Sequence, residues 1–297
     1  MPKHEMVLTQ NENTARAFPG GDAQDTRPSP VRNEQGLPSK GRGGLKRRVQ
    51  KERNLKIATL NVGTMTGKRH EIVKMMLEKN IQILCVQETR WAGSKSYGIG
   101  KGFKMLYHGY NNRRNGVGVI VSPEMNDKII EVGRKSDRVM HISIEIENEF
   151  WTIVSCYAPQ AGCDEEEKLR FWRELDEVVQ GINRNERLVL AGDLNGHVGG
   201  RNMGCEEVHG GHGIGIPNPE GIAIMDFAAA YQLKIVNTIF TKPPNHLVTY
   251  NSGNNQSQID FILVRRAHIK EIRDCKTLPG EQVTTQHRTV VMKLKIR

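Results

Sequence analysis

Short apolar runs with the spacing of β-strands alternate with longer runs of helical spacing from residue 55 onwards, which limits the chain to few fold classes. The strand-like runs cover residues 55–61, 81–88, 116–122, 138–147, 151–158, 186–195, 258–264 and 288–296. The helical runs cover residues 68–80, 164–183 and 221–233. A short charged turn between 138–147 and 151–158 predicts a hairpin. Hairpins mixed with strand–helix units predict a layered α/β or α+β fold in which two mixed β-sheets pack together with helices outside, in one domain.

The first 54 residues differ in composition from the rest of the chain. They contain five of its twelve prolines and six glycines, with almost no aliphatic periodicity, so they cannot bury enough apolar surface to become ordered. Their basic end, KGRGGLKRRVQKER, fits a phosphate-binding or nuclear-localisation segment and equally a solvated linker. We therefore predict a disordered basic segment over residues 1–54 and a folded domain over residues 55–297.

The charge balance points to a polyanionic partner. Lys and Arg number 43 against 33 Asp and Glu, a formal net charge of +10, and nucleic acid is the first expectation. No run reaches the roughly 18 apolar residues of a membrane-spanning helix, so no membrane partner is expected. Five widely spaced cysteines without a C-x-x-C pair argue against a zinc site or a disulfide framework and favour the nucleus or cytoplasm. The sequence does not identify protein partners.

Polar residues stand where the apolar runs end. They are Asn61, Glu88, Tyr157, Asp193 and Asn195 at strand ends, Asp260 inside a strand, and His287 at the opening of the last strand. Each alone is explained as a turn former or a structural histidine, but a layered fold collects such residues at one end of its sheets. Carboxylate and amide oxygens without a Cys/His cluster favour Mg²⁺ or Mn²⁺ over zinc. An Asp beside a His adds an oriented imidazole.

A metal, an Asp–His pair and a basic surface together predict phosphodiester hydrolysis. The chain lacks a G-x-x-x-x-G-K-[ST] loop, the protein-kinase motifs and a G-x-S-x-G elbow, so no nucleotide cofactor and no acyl transfer are expected. The glycine-rich run at 210–215 follows no strand and is interpreted as a surface loop.

Six ordered motifs resemble the endonuclease/exonuclease/phosphatase superfamily. They are TLNVGT (59–64), VQETR (86–90), YAP (157–159), GDLN (192–195), QIDFILV (258–264) and QHRTVVMKL (286–294). The stretches 113–122 and 218–240 are most similar to endonuclease domains of RTE-type LINE retrotransposons and to host-retained relatives of the craniofacial development protein 2 type. The resemblance implies a four-layer α/β sandwich.

The resemblance also implies a role for each site residue. The metal-binding set is Glu88, Asn61, Asp193, Asn195 and Gln286. The catalytic set is Asp193 as acceptor of the water proton, Asn195 beside it, His287 as stabiliser of phosphate charge, Asp260 as its orienting carboxylate, and Tyr157 near the leaving oxygen. For DNA binding through phosphates we predict Arg113, Arg114 and Asn115.

Three departures from the superfamily bear on activity. Gln286 stands before His287 where the family usually has Asp, so a neutral amide replaces a carboxylate and is expected to weaken cation binding. The residues before Asp260 read SQI, without the Trp that walls the abasic pocket of repair relatives, and Gly63 replaces an acidic residue common in them. Damage-specific repair is therefore disfavoured.

The predicted function is a Mg²⁺-dependent DNA endonuclease of retrotransposon origin that nicks one strand and leaves a 3′-hydroxyl, with Mn²⁺ able to substitute. Three alternatives remain: an abasic-site repair nuclease, a domesticated non-catalytic module that binds DNA or protein, and a small-molecule phosphatase. Comparing cleavage of plain and abasic duplexes distinguishes the predicted function from abasic-site repair. Metal-dependent nicking distinguishes it from a non-catalytic module.

Overall fold

The computed structural model of the protein describes residues 53–202, 204–281 and 283–296. Residues 1–52, which hold nearly all of the predicted disordered segment, lie outside the described residues. The strands are β1 (Arg53–Asn61), β2 (Ile83–Gln87), β3 (Gly93–Gly100), β4 (Phe103–Gly109), β5 (Val117–Val121), β6 (Ile129–Ser136), β7 (Val139–Ile146), β8 (Glu149–Tyr157), β9 (Arg187–Asp193), β10 (Leu233–Ile235), β11 (Tyr250–Ser252), β12 (Asn255–Ser257), β13 (Asp260–Arg265), β14 (Ile272–Thr277) and β15 (Val290–Ile296). The helices are α1 (Arg69–Lys79), α2 (Pro123–Asn126), α3 (Glu165–Gln180) and α4 (Pro219–Ala230), with 3₁₀ turns at Val236–Thr238, Pro244–His246 and Arg266–Glu271.

Two large mixed sheets carry the fold. The first has strand order β14-β15-β1-β2-β5-β4-β3, the second has order β10-β13-β9-β8-β7-β6, and β11 pairs with β12 in a separate hairpin. In each large sheet one neighbouring pair is parallel: β1 with β2, joined through α1, and β8 with β9, joined through α3. The other pairs are antiparallel, including the predicted β7–β8 hairpin. The predicted α/β fold with two mixed sheets is confirmed.

Three apolar clusters separate four layers. One lies between the sheets and joins Ile57 and Met292 of the first sheet to Ile153 of the second. Another packs α1 on the outer face of the first sheet, and the third packs α3 and α4 on the outer face of the second. The layers are therefore helix, sheet, sheet and helix, the sandwich that the family resemblance implies. Within the described ranges, no helix has both the length and the apolar character needed to cross a bilayer.

Local capping explains where the helices α3 and α4 begin. The Asp164 side chain accepts a hydrogen bond from the Glu167 amide at the start of α3, and Asn218 does the same for Gly221 at the start of α4. Because of the Asn218 cap, α4 begins at Pro219, two residues before the predicted start.

Several strands were not predicted, and each lacks a clean alternation of apolar and polar residues. Residues 93–100 are mostly exposed glycine, serine and lysine, yet they form edge strand β3 by pairing with β4. Strands β6 and β14 also lie at sheet edges. The prediction that His287 opens the last strand was wrong, since β15 begins at Val290 and His287 instead forms an isolated bridge with Tyr250.

Candidate active site

The carboxyl ends of the two parallel strand pairs meet at one end of the sandwich. In the first sheet, β1 ends at Asn61, and Glu88 directly follows the end of β2. In the second sheet, β8 ends at Tyr157 and β9 ends at Asp193. The carboxyl ends of parallel strands are where open α/β sheets bind ligands. Asp260 joins this group because it pairs directly with Asp193 across the β9–β13 ladder.

Asn61 connects the two sheets through its amide. Its Nδ2 atom donates to Glu88 Oε1 at 3.0 Å and to Asp193 Oδ2 at 2.9 Å, while its Oδ1 accepts from the Gly63 amide at 2.9 Å. Asn61 is 1% exposed, so its orientation is fixed by these three bonds rather than by solvent. Asn61 therefore forms hydrogen bonds with one carboxylate from each sheet, Glu88 from the first and Asp193 from the second.

Glu88 is surrounded by donors and stays anionic. Tyr157 Oη donates to Oε1 at 2.9 Å and Arg90 Nη2 donates to Oε2 at 2.7 Å, in addition to the bond from Asn61. Burial favours the neutral carboxyl, but the hydrogen bonds from Asn61, Arg90 and Tyr157 and the charge of Arg90 outweigh it and lower the pKa of Glu88. Burial and the neighbouring Glu88 raise the pKa of Tyr157, which keeps its hydroxyl protonated as a donor.

Asp193 has the opposite environment. It is 1% exposed, and burial together with the charge of Asp260 raises its pKa to about 7, despite the bonds from Asn61 and from the Asn195 amide at 3.1 Å. A carboxyl with a pKa near neutrality can accept a proton and release it again at physiological pH.

His287 and Asp260 form an oriented pair. Nδ1 of His287 lies 3.1 Å from Asp260 Oδ2 and 3.3 Å from Oδ1, and Nε2 lies 3.8 Å from Asp193 Oδ2. Burial disfavours the charged ring, but the charges of Asp260, Asp193 and Glu88 outweigh it and raise the pKa of His287 to about 9. The imidazole is therefore a cation at neutral pH, with Nε2 facing the other site residues. Asp260 and His287 are therefore in direct contact, and the orienting role of Asp260 stays a prediction.

The backbone around the site adopts special conformations. Glu88 and Asn195 have positive φ angles of 52° and 49°, which side-chain-bearing residues rarely adopt and which tend to occur at functional sites. The side-chain Nδ2 of Asn195 donates to the Ala158 carbonyl at 2.8 Å, which joins the loop after β9 to the loop after β8. Gly192 allows β9 to approach β8, because a Cβ there would lie 1.8 Å from the Cys156 carbonyl oxygen.

Gln286 lies at the rim of the site rather than inside the hydrogen-bonded group. It is exposed, and its Nε2 donates to Tyr250 Oη at 3.3 Å. Its backbone carbonyl accepts from the Asn251 amide at 2.9 Å, so this segment is joined to the β11–β12 hairpin. The expected contact of Gln286 with a metal remains a prediction.

The predicted DNA-binding residues lie in the β4–β5 loop, next to the segment that carries Glu88. The Arg90 amide donates to the Asn115 carbonyl at 3.0 Å, which holds the two loops together. Arg113 and Arg114 are exposed, and the Asn111 side chain caps both of their amides. Asn115 is 8% exposed, because its amide donates to Asp137 at 3.0 Å. The two arginines are therefore the members of this set that face solvent.

Sequence reasoning missed three residues that hold the site together. Arg138 is buried, donates to the Tyr157 carbonyl at 3.1 Å and lies 5.0 Å from the centre of the Tyr157 ring. Thr249 accepts from the Asp260 amide at 3.1 Å, and Asn237 donates to the Asp260 carbonyl at 3.0 Å. Their signals in the sequence were weak, because each is a single polar residue at the edge of an apolar run.

The donor set fits a hard divalent cation. Glu88 is anionic, its side chain is 14% exposed, and the other candidate ligands nearby, except His287, offer carboxylate or amide oxygens. Asp193, Asp260 and His287 also place possible ligand atoms within 4.8 Å of one another. However, both Asp260 oxygens are directed at the His287 ring, which makes this trio an Asp–His pair beside a proton acceptor. Glu88 is thus the best candidate for the principal metal ligand.

Known proteins resemble this chain in sequence or in fold. Craniofacial development protein 2 of Bos taurus is 29% identical over 245 residues, which cover 81% of this chain and 41% of that protein, so the chain spans about two fifths of the relative's length. The endonuclease domain of TRAS1, a telomere-specific non-LTR retrotransposon, superposes with a TM-score of 0.62 at 13% identity, over 82% of this chain and 98% of that domain. AP endonuclease LMAP from Leishmania major superposes with a TM-score of 0.64 at 14% identity, over 82% of this chain and 89% of that enzyme's chain. Residues 58–273 match the Endonuclease/Exonuclease/phosphatase family, and the chain belongs to that family.

Proposed function

We propose that this protein is a Mg²⁺-dependent DNA endonuclease of retrotransposon origin that nicks one strand and leaves a 3′-hydroxyl. The observation that carries the proposal is the meeting of an anionic Glu88, a proton-accepting Asp193 and a cationic His287 at one end of the sandwich. The exposed Arg113 and Arg114 beside them offer positive charge to DNA phosphates.

The residues divide the chemistry of hydrolysis between them. Asp193 accepts a proton from the attacking water, whose oxygen bonds to phosphorus as the bond from phosphorus to the 3′-oxygen breaks. The departing 3′-oxygen takes up a proton to give the 3′-hydroxyl, and the 5′-phosphate stays on the other fragment. His287 stabilises the negative charge that develops on the phosphate oxygens, and Asp260 keeps its ring oriented. Glu88, with Asn61, Asn195 and Gln286 as further predicted oxygen donors, would hold the divalent cation, which would supply neutralisation of the phosphate charge when bound.

A plasmid assay tests the proposal. The purified chain is expected to convert supercoiled plasmid to the nicked form in Mg²⁺ or Mn²⁺ and to lose this activity in EDTA. DNA polymerase extension from the nick then reads the product end, because only a 3′-hydroxyl is extended. Nicking that persists in excess chelator, or its absence at every metal concentration, contradicts the proposal.

Assays on the same purified chain also distinguish the proposed function from two others. An abasic-site nuclease would cleave an abasic duplex far faster than a plain one, whereas we expect no such preference. A non-catalytic module would bind DNA without nicking it under any metal condition. Residence in the nucleus or cytoplasm remains part of the proposal, and imaging of the tagged chain tests it.

A further inference from the structure

A basic and aromatic surface lies beside the candidate active site. Its members are Arg69, Trp91, Lys95 and Tyr97, and we call it the basic–aromatic strip. Arg69 begins α1, eight residues after Asn61, and Trp91 follows Glu88 by three residues. The strip is therefore built on the two chain segments that leave the site at the ends of β1 and β2.

The rings of the strip are held in place by one another. Arg69 Nη1 donates to Tyr97 Oη at 2.9 Å, and its guanidinium lies 5.4 Å from the centre of the Tyr97 ring. Trp91 packs edge-to-face against Tyr97 at 6.1 Å between ring centres and against the buried Tyr107 at 5.2 Å. Tyr107 belongs to β4 and to the apolar cluster on the outer face of the first sheet, so the strip is anchored to that cluster.

Tyr97 nevertheless leaves much of its surface to solvent. It is 47% exposed, although Arg69 and Trp91 both contact it. Most exposed side chains of β3 are small or charged, so this tyrosine stands out on an edge strand. A ring that is oriented by two partners and still open to solvent provides a stacking surface at little entropic cost.

The charges of the strip are available to an anionic ligand. Within the part of the chain that the structure describes, neither Arg69 nor Lys95 forms a salt bridge with a carboxylate. Guanidinium and ammonium groups bind phosphates, and tyrosine and tryptophan rings stack with nucleobases. In duplex DNA the bases stack on one another, so a base reaches such a ring only when it is unpaired.

We propose that the basic–aromatic strip binds the nucleic-acid strand that flanks the cleaved phosphate, and that Tyr97 stacks with an unpaired nucleobase of that strand. The choice of a nucleic-acid ligand rests on the proposed endonuclease function. The strip adds a substrate preference: DNA with unpaired bases beside the cleavage point binds more tightly than a continuous duplex. Arg69 and Lys95 contact phosphates, and Trp91 keeps the Tyr97 ring in position.

Binding in EDTA tests the strip without cleavage. The probe is a DNA duplex with a short single-stranded extension that carries 2-aminopurine, whose fluorescence falls when the base stacks. The comparison is the wild type with Tyr97→Ala, Tyr97→Phe and Arg69→Gln. Phe150→Ala is the matched control, because Phe150 is an exposed aromatic residue, at 55%, near the start of β8, and the opposite end of that strand carries Tyr157 at the site.

The expected result is quenching by the wild type and Tyr97→Phe, and loss of quenching in Tyr97→Ala with about five- to a hundredfold weaker binding, the range for one base–aromatic stack. Arg69→Gln should weaken binding and reduce its salt dependence. Equal affinity and equal quenching for Tyr97→Ala and the wild type would overturn the inference, as would an equal loss in Phe150→Ala. Quenching without nicking in Mg²⁺ would contradict the proposed function and leave the strip intact.

Discussion

Glu88 and Asp193 are carboxylates at neighbouring strand ends, bonded to the same amide of Asn61, yet their pKa values shift in opposite directions. Glu88 receives hydrogen bonds from Asn61, Tyr157 and Arg90, and these stabilise its negative charge. Asp193 is deeply buried beside a second carboxylate, Asp260, and both conditions favour its neutral form. Identical chemical groups thus become a permanent anion and a proton acceptor.

Under the proposed function, the surroundings of the two carboxylates, rather than their residue type, divide the roles of metal ligand and general base between them. A metal ligand has to remain ionised at the working pH, whereas a general base works best with a pKa near that pH. Each requirement is met from a different sheet, because Glu88 follows β2 and Asp193 ends β9. Changing the surroundings of either carboxylate should therefore alter one role and spare the other.

Removal of the proton acceptor should have the largest effect. Asp193→Ala is expected to lower the nicking rate by at least roughly a hundredfold, because no other group at this position can take the water proton. Asp226→Ala is the matched control, since Asp226 is an exposed aspartate of α4. A variant with near wild-type rate and an unchanged Tm would remove Asp193 from the chemistry.

The Asp260–His287 pair should behave as a unit. We expect His287→Gln and Asp260→Asn each to slow nicking by about tenfold or more, and the double variant to be little worse than His287→Gln alone. The reason is that Asp260 acts through the ring that it orients, 3.1 Å away. Nicking rates of the four proteins form a double-mutant cycle, and multiplicative losses would show that the two residues act separately.

Gln286 allows a fourth carboxylate to be added to the site, at its rim. Gln286→Asp is expected to raise nicking by a few fold at limiting Mg²⁺, because a carboxylate attracts the cation more strongly than a neutral amide. The gain should be small, since Gln286 is exposed and bonded to Tyr250. Titrating Mg²⁺ with both proteins measures the effect, and superimposable curves would place Gln286 outside the metal site.

Much of the fold was predictable because buried strands and amphipathic helices leave periodic signals. The strands ending at Asn61, Tyr157 and Asp193 were predicted from apolar runs, and the structure joins their ends by hydrogen bonds. Edge strand β3 was missed because exposed glycine and serine carry no such period.

The roles of the site residues depend on contacts that no local pattern reveals. The raised pKa of Asp193 depends on Asp260, far along the chain, and the orientation of Tyr157 depends on Arg138. Asn115 was predicted to bind DNA together with Arg113 and Arg114, whereas the structure buries its side chain against Asp137. Side-chain partners distant in sequence decided each of these cases.

The opposite shifts of the two carboxylates can be measured directly as the pH dependence of stability without metal. The pKa of Asp193 is about 4 in the unfolded chain and about 7 in the folded chain. As the pH rises between these two values, the folded state loses stability, because the carboxyl releases its proton readily only in the unfolded state. Glu88, with a lowered pKa, is ionised in both states above about pH 5 and contributes no slope there.

The decisive measurement is the Tm of wild type, Asp193→Asn and Glu88→Gln in EDTA at about pH 5 and about pH 8. We predict that the Tm of Asp193→Asn relative to wild type rises by at least about 2 °C between the two pH values, the effect of about 1 kcal/mol in a chain of this size. The Tm of Glu88→Gln relative to wild type should stay constant. A flat difference for Asp193→Asn, or an equal rise for both variants, would contradict the division of roles between the two carboxylates.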